Sequence, residues 1–536
     1  MRNIIFCIAA SLMMLGLASC SKDIGNYSYH DVNVVSFQGF DTINGYSTYF
    51  GDTLKITPTL VSSKDDNKED DYTYEWSFRI GTGQSGAGQA PDPLRDSVIS
   101  TSKNLDVKIG LVPGTYSLQY RVTDKATGLV YPIRTNVLVT TEVYEGYLIM
   151  NDVNGAARLD MLSYNSTLNK FTQYTDVLQH MGSTVPMSGK PYQILCMNYT
   201  RSNIVAQNYG IFLLTSENTN RVNQETFAWN PTYNIRYLML GDVPENFTAQ
   251  SINGQYNNTN SSPTIYMYGN DNNWYSMATN AGYVFKYTPV NVYTTGGTPF
   301  KVSPYVATDG NAAIFYDAEN RKFVTTTNPA VTSVIDVNPL LHYPTGYDLK
   351  WMNMNYYPEG GQVKKVYSIL KDPTSSKLYL LRFKMGAALT DTALYYFQPF
   401  MPDMYNSSDK VDIANATNFT VSPDYEYLFY NVGSKVYEYD LGLSKNFLMK
   451  DYGNAQISYM SFLHIYDRYG LAQMTKNQNY FDWSSELTIA TYNPGGAAGS
   501  NGTLEQYKIQ PVNGALQLAA QWTGFGKIVS VGYRSR

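Results

Sequence analysis

The stretch FTVSPDYEYLFYNVGSKVYEYDL, residues 419–441, decides the fold. Tyr427 and Phe429 precede the turn residues Asn431-Val432-Gly433-Ser434, and Val436 and Tyr439 follow them. Two alternating runs joined by so short a turn read as adjacent antiparallel strands. The same theme recurs in GYLIMNDVNGAARLDMLSYN (146–165), AAIFYDAENRKFVTTT (312–327) and KVYSILKDPTSSKLYLLRF (365–383). From Tyr144 onward the chain repeats strand, tight turn, strand and longer polar connection. At about 40 to 50 residues per blade, this length predicts a β-propeller of seven or eight blades. A ring must close. The first strand, Gly146 to Asn151, is expected to pair with strands of the terminal segment TLEQYKIQPVNGALQLAAQWTGFGKIVSVGYRSR, because an open ring would leave a sheet edge unpaired. The alternative is a string of separate β-sandwiches.

Working back from Tyr144, residues 31–142 carry short alternating segments at regular spacing: NVVSFQGF, DTLKITPTL, YTYEWSFRI, NLDVKIGL, GTYSLQYRVTD and YPIRTNVLVTT. That pattern predicts a β-sandwich. Tyr74, Trp76 and Phe78 share one strand face, so Trp76 is expected in a core. Pro113-Gly114-Thr115-Tyr116 through Arg121-Val122-Thr123-Asp124 resembles the ending of PKD-type domains, which implies an immunoglobulin-like fold, so the predicted organisation is all-β, with an immunoglobulin-like domain over 31–142 and a propeller over 143–536.

The chain opens MRNIIFCIAASLMMLGLASC, with Arg2, an apolar run from Ile4 to Leu17 and small residues before Cys20. This reads as a secretory signal peptide over 1–19; the run is shorter than the about 20 residues a membrane-spanning helix needs. Leu17-Ala18-Ser19-Cys20 resembles the lipobox of bacterial lipoproteins, which implies lipidation of Cys20 and attachment through acyl chains alone. Residues 20–30 then serve as a lipidated polar tether. Cys7 leaves with the signal and Cys20 is acylated, so Cys196 stands alone and reads as a small buried strand residue.

Net charge is -5 over 536 residues, with no basic cluster, which argues against nucleic acid and against anionic lipid as partners. Tyrosine is the outlier at 49 residues. Together with abundant Asn, Thr, Ser and Gly it favours strands and turns.

Several motifs resemble PKD-like family lipoproteins of Bacteroidetes. They are the lipobox cysteine followed by Gly25-Asn26-Tyr27-Ser28-Tyr29, the DTLKITPTL, YEWSF and GTYSLQYRVTD strands, EGYLIM, and the ending WTGFGKIVSVGYRSR. The resemblance implies a surface-exposed outer-membrane lipoprotein and a nutrient-binding accessory role beside SusC/SusD-like uptake proteins. Asp23 alone stands where such lipoproteins carry an acidic export cluster.

The usual chemical signatures are missing. The four histidines, His30, His180, His342 and His464, have no second ligand at metal spacing, and there is no nucleophile elbow, phosphate loop or dinucleotide fingerprint. No metal and no cofactor are expected. Glycoside hydrolysis needs only two carboxylates, yet Asp317, Glu319, Asp372 and Asp424 occupy turns, where acids cap backbone amides. Glu359, Asp482 and Glu486 lie in other contexts. The expected role is therefore non-catalytic binding of polysaccharide or oligosaccharide, with a protein-docking platform, and less readily a propeller hydrolase, as alternatives. Sugar rings stack on aromatic faces while amides meet their hydroxyls. Three clusters have that composition, and they supply the candidate ligand residues: Trp274 and Tyr275; Trp351, Tyr356 and Tyr357; Tyr480 and Trp483. Trp274 leads, because Asn272-Asn273 suggests an exposed turn.

Overall fold

A computed structural model describes residues 33–64, 69–81, 94–166, 168–198, 209–254, 264–278, 284–310, 312–326, 331–335, 339–354, 365–375, 377–384, 396–399, 415–465 and 478–535. Cys20 and its tether, and Tyr356, Tyr357 and Glu359, lie outside them. The chain falls into two compact units, the first drawn from residues up to Leu138 and the second holding Val139 onward.

The first unit is a β-sandwich. A five-stranded sheet runs in the order Tyr46–Tyr49, Val130–Thr140, Gly114–Asp124, Tyr72–Ile80, Arg95–Ser100. Two strand pairs, Val35–Gln38 with Thr59–Ser62 and Thr53–Ile56 with Leu105–Lys108, complete it. Trp76 is a core residue as expected: it is fully buried, stacks on Tyr120 at 4.1 Å between ring centroids and donates its indole N–H to the Ser102 carbonyl.

The second unit is a seven-bladed β-propeller. Blade one holds Gly146–Val153, Ala156–Asn165 and Lys170–Tyr174, and its innermost strand is the C-terminal Lys527–Arg534. The inner strands of blades two to seven are Pro191–Asn198, Ala249–Gly254, Ala307–Thr308, Asp348–Met354, Phe419–Val421 and Gln456–Phe462, each followed by two or three further antiparallel strands. The expected closure is the one observed, with Tyr147 opposite Tyr533. The hairpin read from residues 419–441 also forms, Leu428–Val432 pairing with Lys435–Asp440 around a turn in which Gly433 has φ 57°. Glycine supplies that left-handed conformation without steric cost.

Seven apolar clusters fill the seven seams. That between blades three and four joins Tyr266, Tyr268 and Trp274 to Val306, Ala313 and Phe315; that between two and three joins Phe212 and Leu214 to Ile265, Met267 and Tyr275. The remaining clusters follow round to the seam of seven with one, where Tyr147, Tyr480, Leu504 and Tyr533 meet. Because every blade has a neighbour on both faces, its strands are buried on both sides, as in Tyr209–Thr215, where all seven residues are buried. The tyrosine surplus follows from this packing. Buried rings fill seams while their hydroxyls find partners, as Tyr147 does with Gln506 (2.9 Å) and Tyr430 with Asn446 (2.7 Å).

Two polar locks cross seams. Arg534, fully buried at the end of the closing strand, donates to the Val143, Gln224 and Glu225 carbonyls and lies over the Phe227 ring at 4.7 Å. It thus ties blade one to the segment that follows the last strand of blade two. Arg534→Ala would strip three buried carbonyls of a charged donor, and is expected to cost about 3 kcal/mol or more of stability in denaturant unfolding. Between blades six and seven, the Asn513 amide donates to Glu438 (2.8 Å) and to Asp440 (3.0 Å). Burial pushes the Glu438 carboxyl up to about 7, with Asp440 adding to the rise and Asn513 opposing it. The folded protein therefore keeps this proton to a higher pH than the unfolded chain, and the group's contribution to stability falls as pH rises from the ordinary carboxylate range through about 7. Glu438→Gln should match the parent in melting temperature near pH 5 and gain on it progressively by pH 8; a pH-independent difference would contradict this.

Candidate functional site

The seven inner strands surround one central cavity of about 290 Å³. Each inner strand ends its sheet, so side chains rather than ladders bridge neighbouring strands around the cavity. The Gln193 side chain of blade two accepts from the Ile252 N–H (2.8 Å) and donates to the Ile252 carbonyl (3.1 Å) of blade three. Ser530 Oγ accepts from the Ile194 N–H at 3.2 Å, and Thr420 Oγ1 from the Phe462 N–H at 3.3 Å.

No Asp, Glu, Lys or Arg stands among the described residues lining this cavity. Its imidazole and two of its phenols are held neutral. Burial pushes the His464 imidazole down to about 3 and the Tyr459 phenol up to about 12. Tyr533 is raised well above the usual phenol range by burial, with Glu145 adding to the effect. The polar lining is amide and hydroxyl: Gln193, Asn253, Asn353, Thr308, Ser461 and Ser484. Trp351 lines the cavity at 9% exposure, its ring 5.8 Å from that of Phe419. Asn353, two residues on in the same strand, is exposed.

Beside the cavity the helix Gln478–Ser485 brings Ser484 into the lining and Trp483 against Tyr533, at 5.3 Å between rings. Glu145 organises this wall by accepting from the Tyr480 (2.6 Å) and Tyr533 (2.7 Å) hydroxyls. Trp483, partly buried, also meets Tyr147, Tyr164 and Phe171.

The candidate residues thus separate. Trp351 lines the cavity, whereas Tyr480 and Trp483 do not: they pack together in the seam of blades seven and one, Tyr480 fully buried, and their expected ligand role is corrected. Trp274 and Tyr275 do not belong to this site, and the expected exposed platform at Trp274 is corrected. Asn272 does turn, with φ 64°, but Trp274 is the first residue of the next strand. Its side chain enters the seam of blades three and four, where it is fully buried and its indole N–H donates to the Ser303 carbonyl (2.9 Å). Tyr275 points the opposite way, by strand alternation, into the seam with blade two, where its hydroxyl donates to the Asp271 carboxylate. Gln193, His464, Ser484 and Tyr533 escaped sequence reasoning. The signal for them is membership of an inner strand or of the connection after one, visible only once blades are in register.

The carboxylates left open earlier stand elsewhere. Asp482 is exposed, and Glu486 is buried and pushed up to about 7, chiefly by burial; neither lines the cavity. Asp317 and Asp372 cap their turns, accepting from the Asn320 N–H (2.9 Å) and the Thr374 N–H (2.8 Å). Among the described residues no three His, Cys, Asp or Glu side chains group as metal ligands, and no helix is long and apolar enough to cross a membrane.

Residues 20–191 match the model of the PKD-like family. No curated protein matches the chain. Among solved structures, similarity extends to a quinonprotein alcohol dehydrogenase-like protein from Bacteroides thetaiotaomicron, at 14% identity over 92% of this chain and 99% of that one, with a TM-score of 0.40. A protein from Lactobacillus plantarum is similar at 11% identity over 73% of this chain and 99% of that one, TM-score 0.39. A DUF4784 family protein from Bacteroides caccae is similar at 10% identity over 78% of this chain and 96% of that one, TM-score 0.32.

Proposed function

We propose that this protein binds a neutral glycan in the central cavity of its propeller, without catalysis, as a lipid-anchored outer-membrane accessory of a SusC/SusD-like uptake system. The observation that carries the binding reading is the cavity's chemistry: an indole, amides and hydroxyls converge there with no charged side chain among the described lining. Neutral sugar rings offer apolar faces and many hydroxyls, and such a lining satisfies both. The lipobox residues Leu17-Ala18-Ser19-Cys20 and the PKD-like match over 20–191 support the surface location.

Isothermal titration against a panel of neutral and acidic polysaccharides tests the binding half. Neutral members should bind, and Trp351→Ala should weaken binding by about 1 kcal/mol or more. Trp351 also packs in the seam of blades five and six, so both this variant and Trp274→Ala, which empties a seam away from the cavity, are expected to cost about 3–5 kcal/mol of stability, and only Trp351→Ala should weaken binding by the folded protein. Silence across the panel, with a transporter subunit co-purifying from membranes, would replace this reading by protein docking. The rings to examine then are those of the outer strands of blade five, where Phe397 is 39% exposed and Tyr379 stacks on it at 5.3 Å. The export half predicts that Cys20→Ala releases the protein from the membrane fraction, as read by fractionation and by loss of labelling with a clickable fatty acid.

A further inference from the structure

We infer that the cavity takes the terminal one or two residues of a neutral glycan end-on, and that Ser484 Oγ is a hydrogen-bond partner of the bound sugar. The inference rests on the glycan-binding reading above and narrows it to a mode and a residue. Three observations lead to it.

Access is the first. Seven inner strands encircle the cavity, and each seam between blades is packed with apolar side chains. Among the described residues a polymer therefore finds no lateral cleft between blades, and the route to the lining is along the axis. Size is the second: about 290 Å³ falls at the lower limit of the about 300–1,000 Å³ found for small-molecule sites, space suited to a chain end rather than to a long segment.

The third is an unmet hydroxyl. Ser484 is 3% exposed, lines the cavity and has no hydrogen-bond partner within the protein. Of the described buried side chains with a partnerless polar atom, it alone belongs to this lining. Burying a hydroxyl without a partner is unfavourable, so such a group inside a binding cavity marks where a ligand supplies one. Its neighbours suit a sugar. Tyr533 lines the same cavity from blade one, and Trp351 and Asn353 line it from blade five.

Two measurements test this on the intact protein. Dissociation constants are measured for linear di- to hexasaccharides of the malto, cello, manno and xylo series, and for the corresponding polymers. End-on capture predicts affinity that stops improving after two or three residues, and polymer binding that follows the concentration of chain ends. Affinity that keeps tightening with length, or follows total residue concentration, overturns end-on capture while leaving glycan binding intact. If no saccharide of any series binds, the glycan reading itself fails and the inference falls with it. Ser484→Ala then assigns the hydroxyl: binding should weaken about tenfold while melting temperature stays level or rises, because the variant removes an unsatisfied buried group. Unchanged affinity, or lost stability in step with lost binding, would show that Ser484 only packs.

Discussion

A blade of this propeller is a sheet with no solvent face. Each of its surfaces must be covered by another blade, and the requirement passes from neighbour to neighbour until the first blade meets the last. That is why the pairing of Lys527–Arg534 with Gly146–Val153 matters more than any other strand pair. It gives blade one its inner strand and brings Tyr147 and Tyr533 together in the last seam. Arg534 extends the same closure beyond blade one, its guanidinium collecting carbonyls from before the first strand and from the segment after Val222. A buried cation is costly unless its donors are met, so this one acts as a registration pin: the ring fits only when those carbonyls are in place.

The same closure determines what the cavity is made of. Most apolar side chains go to the seams, though Ile194, Ile252 and Val421 among others also line the cavity, and polar side chains of the inner strands bridge the gaps between strands that share no ladder. Gln193 mimics a strand by pairing with both backbone groups of Ile252, and Ser530 and Thr420 repeat the device with hydroxyls. Structural need thus places amides and hydroxyls around the axis beside these apolar residues. Charge is absent from the described lining for the same reason, since an ion on the axis would be desolvated by surrounding strands, and the one imidazole there is held neutral.

Much of the architecture was legible because hairpins announce themselves locally. Asn431 to Ser434 between alternating runs, and a terminal segment able to supply strands, were enough for a ring of blades with terminal closure. The site was legible only in part, and Trp274 shows why. Turn chemistry at Asn272 was correctly read, yet the turn ends one residue before a strand buried on both faces, where an aromatic side chain has only seams to enter. In a half-exposed sheet, alternation tells inside from outside; here it distinguishes only the left seam from the right, as Trp274 and Tyr275 do. Trp351 obeys the same rule, entering the seam of blades five and six while Met352 enters that of four and five, and it reaches the cavity as well only because its strand is innermost, a property set by the ring and not by any local pattern. Ser484 was harder still: a serine in a short helix carries no signal until the cavity beside it is known.

Inner strands have one further property that no other strand of the blade shares. Each lies at the end of its sheet order, so one edge pairs with the second strand and the other faces the axis. An unpaired edge presents a row of backbone donors and acceptors, ordinarily a liability for a soluble protein. Around a closed axis those edges are shielded from other chains, yet they remain open to a molecule small enough to enter. Side-chain bridges such as those of Gln193 and Ser530 meet backbone groups on these edges, beside the amides and hydroxyls already described. A ligand rich in hydroxyls, able to donate and accept at each position, is the kind of molecule best matched to such an edge. The feature that makes the ring necessary therefore also lines its axis with polar groups that, among the described residues, carry no charge.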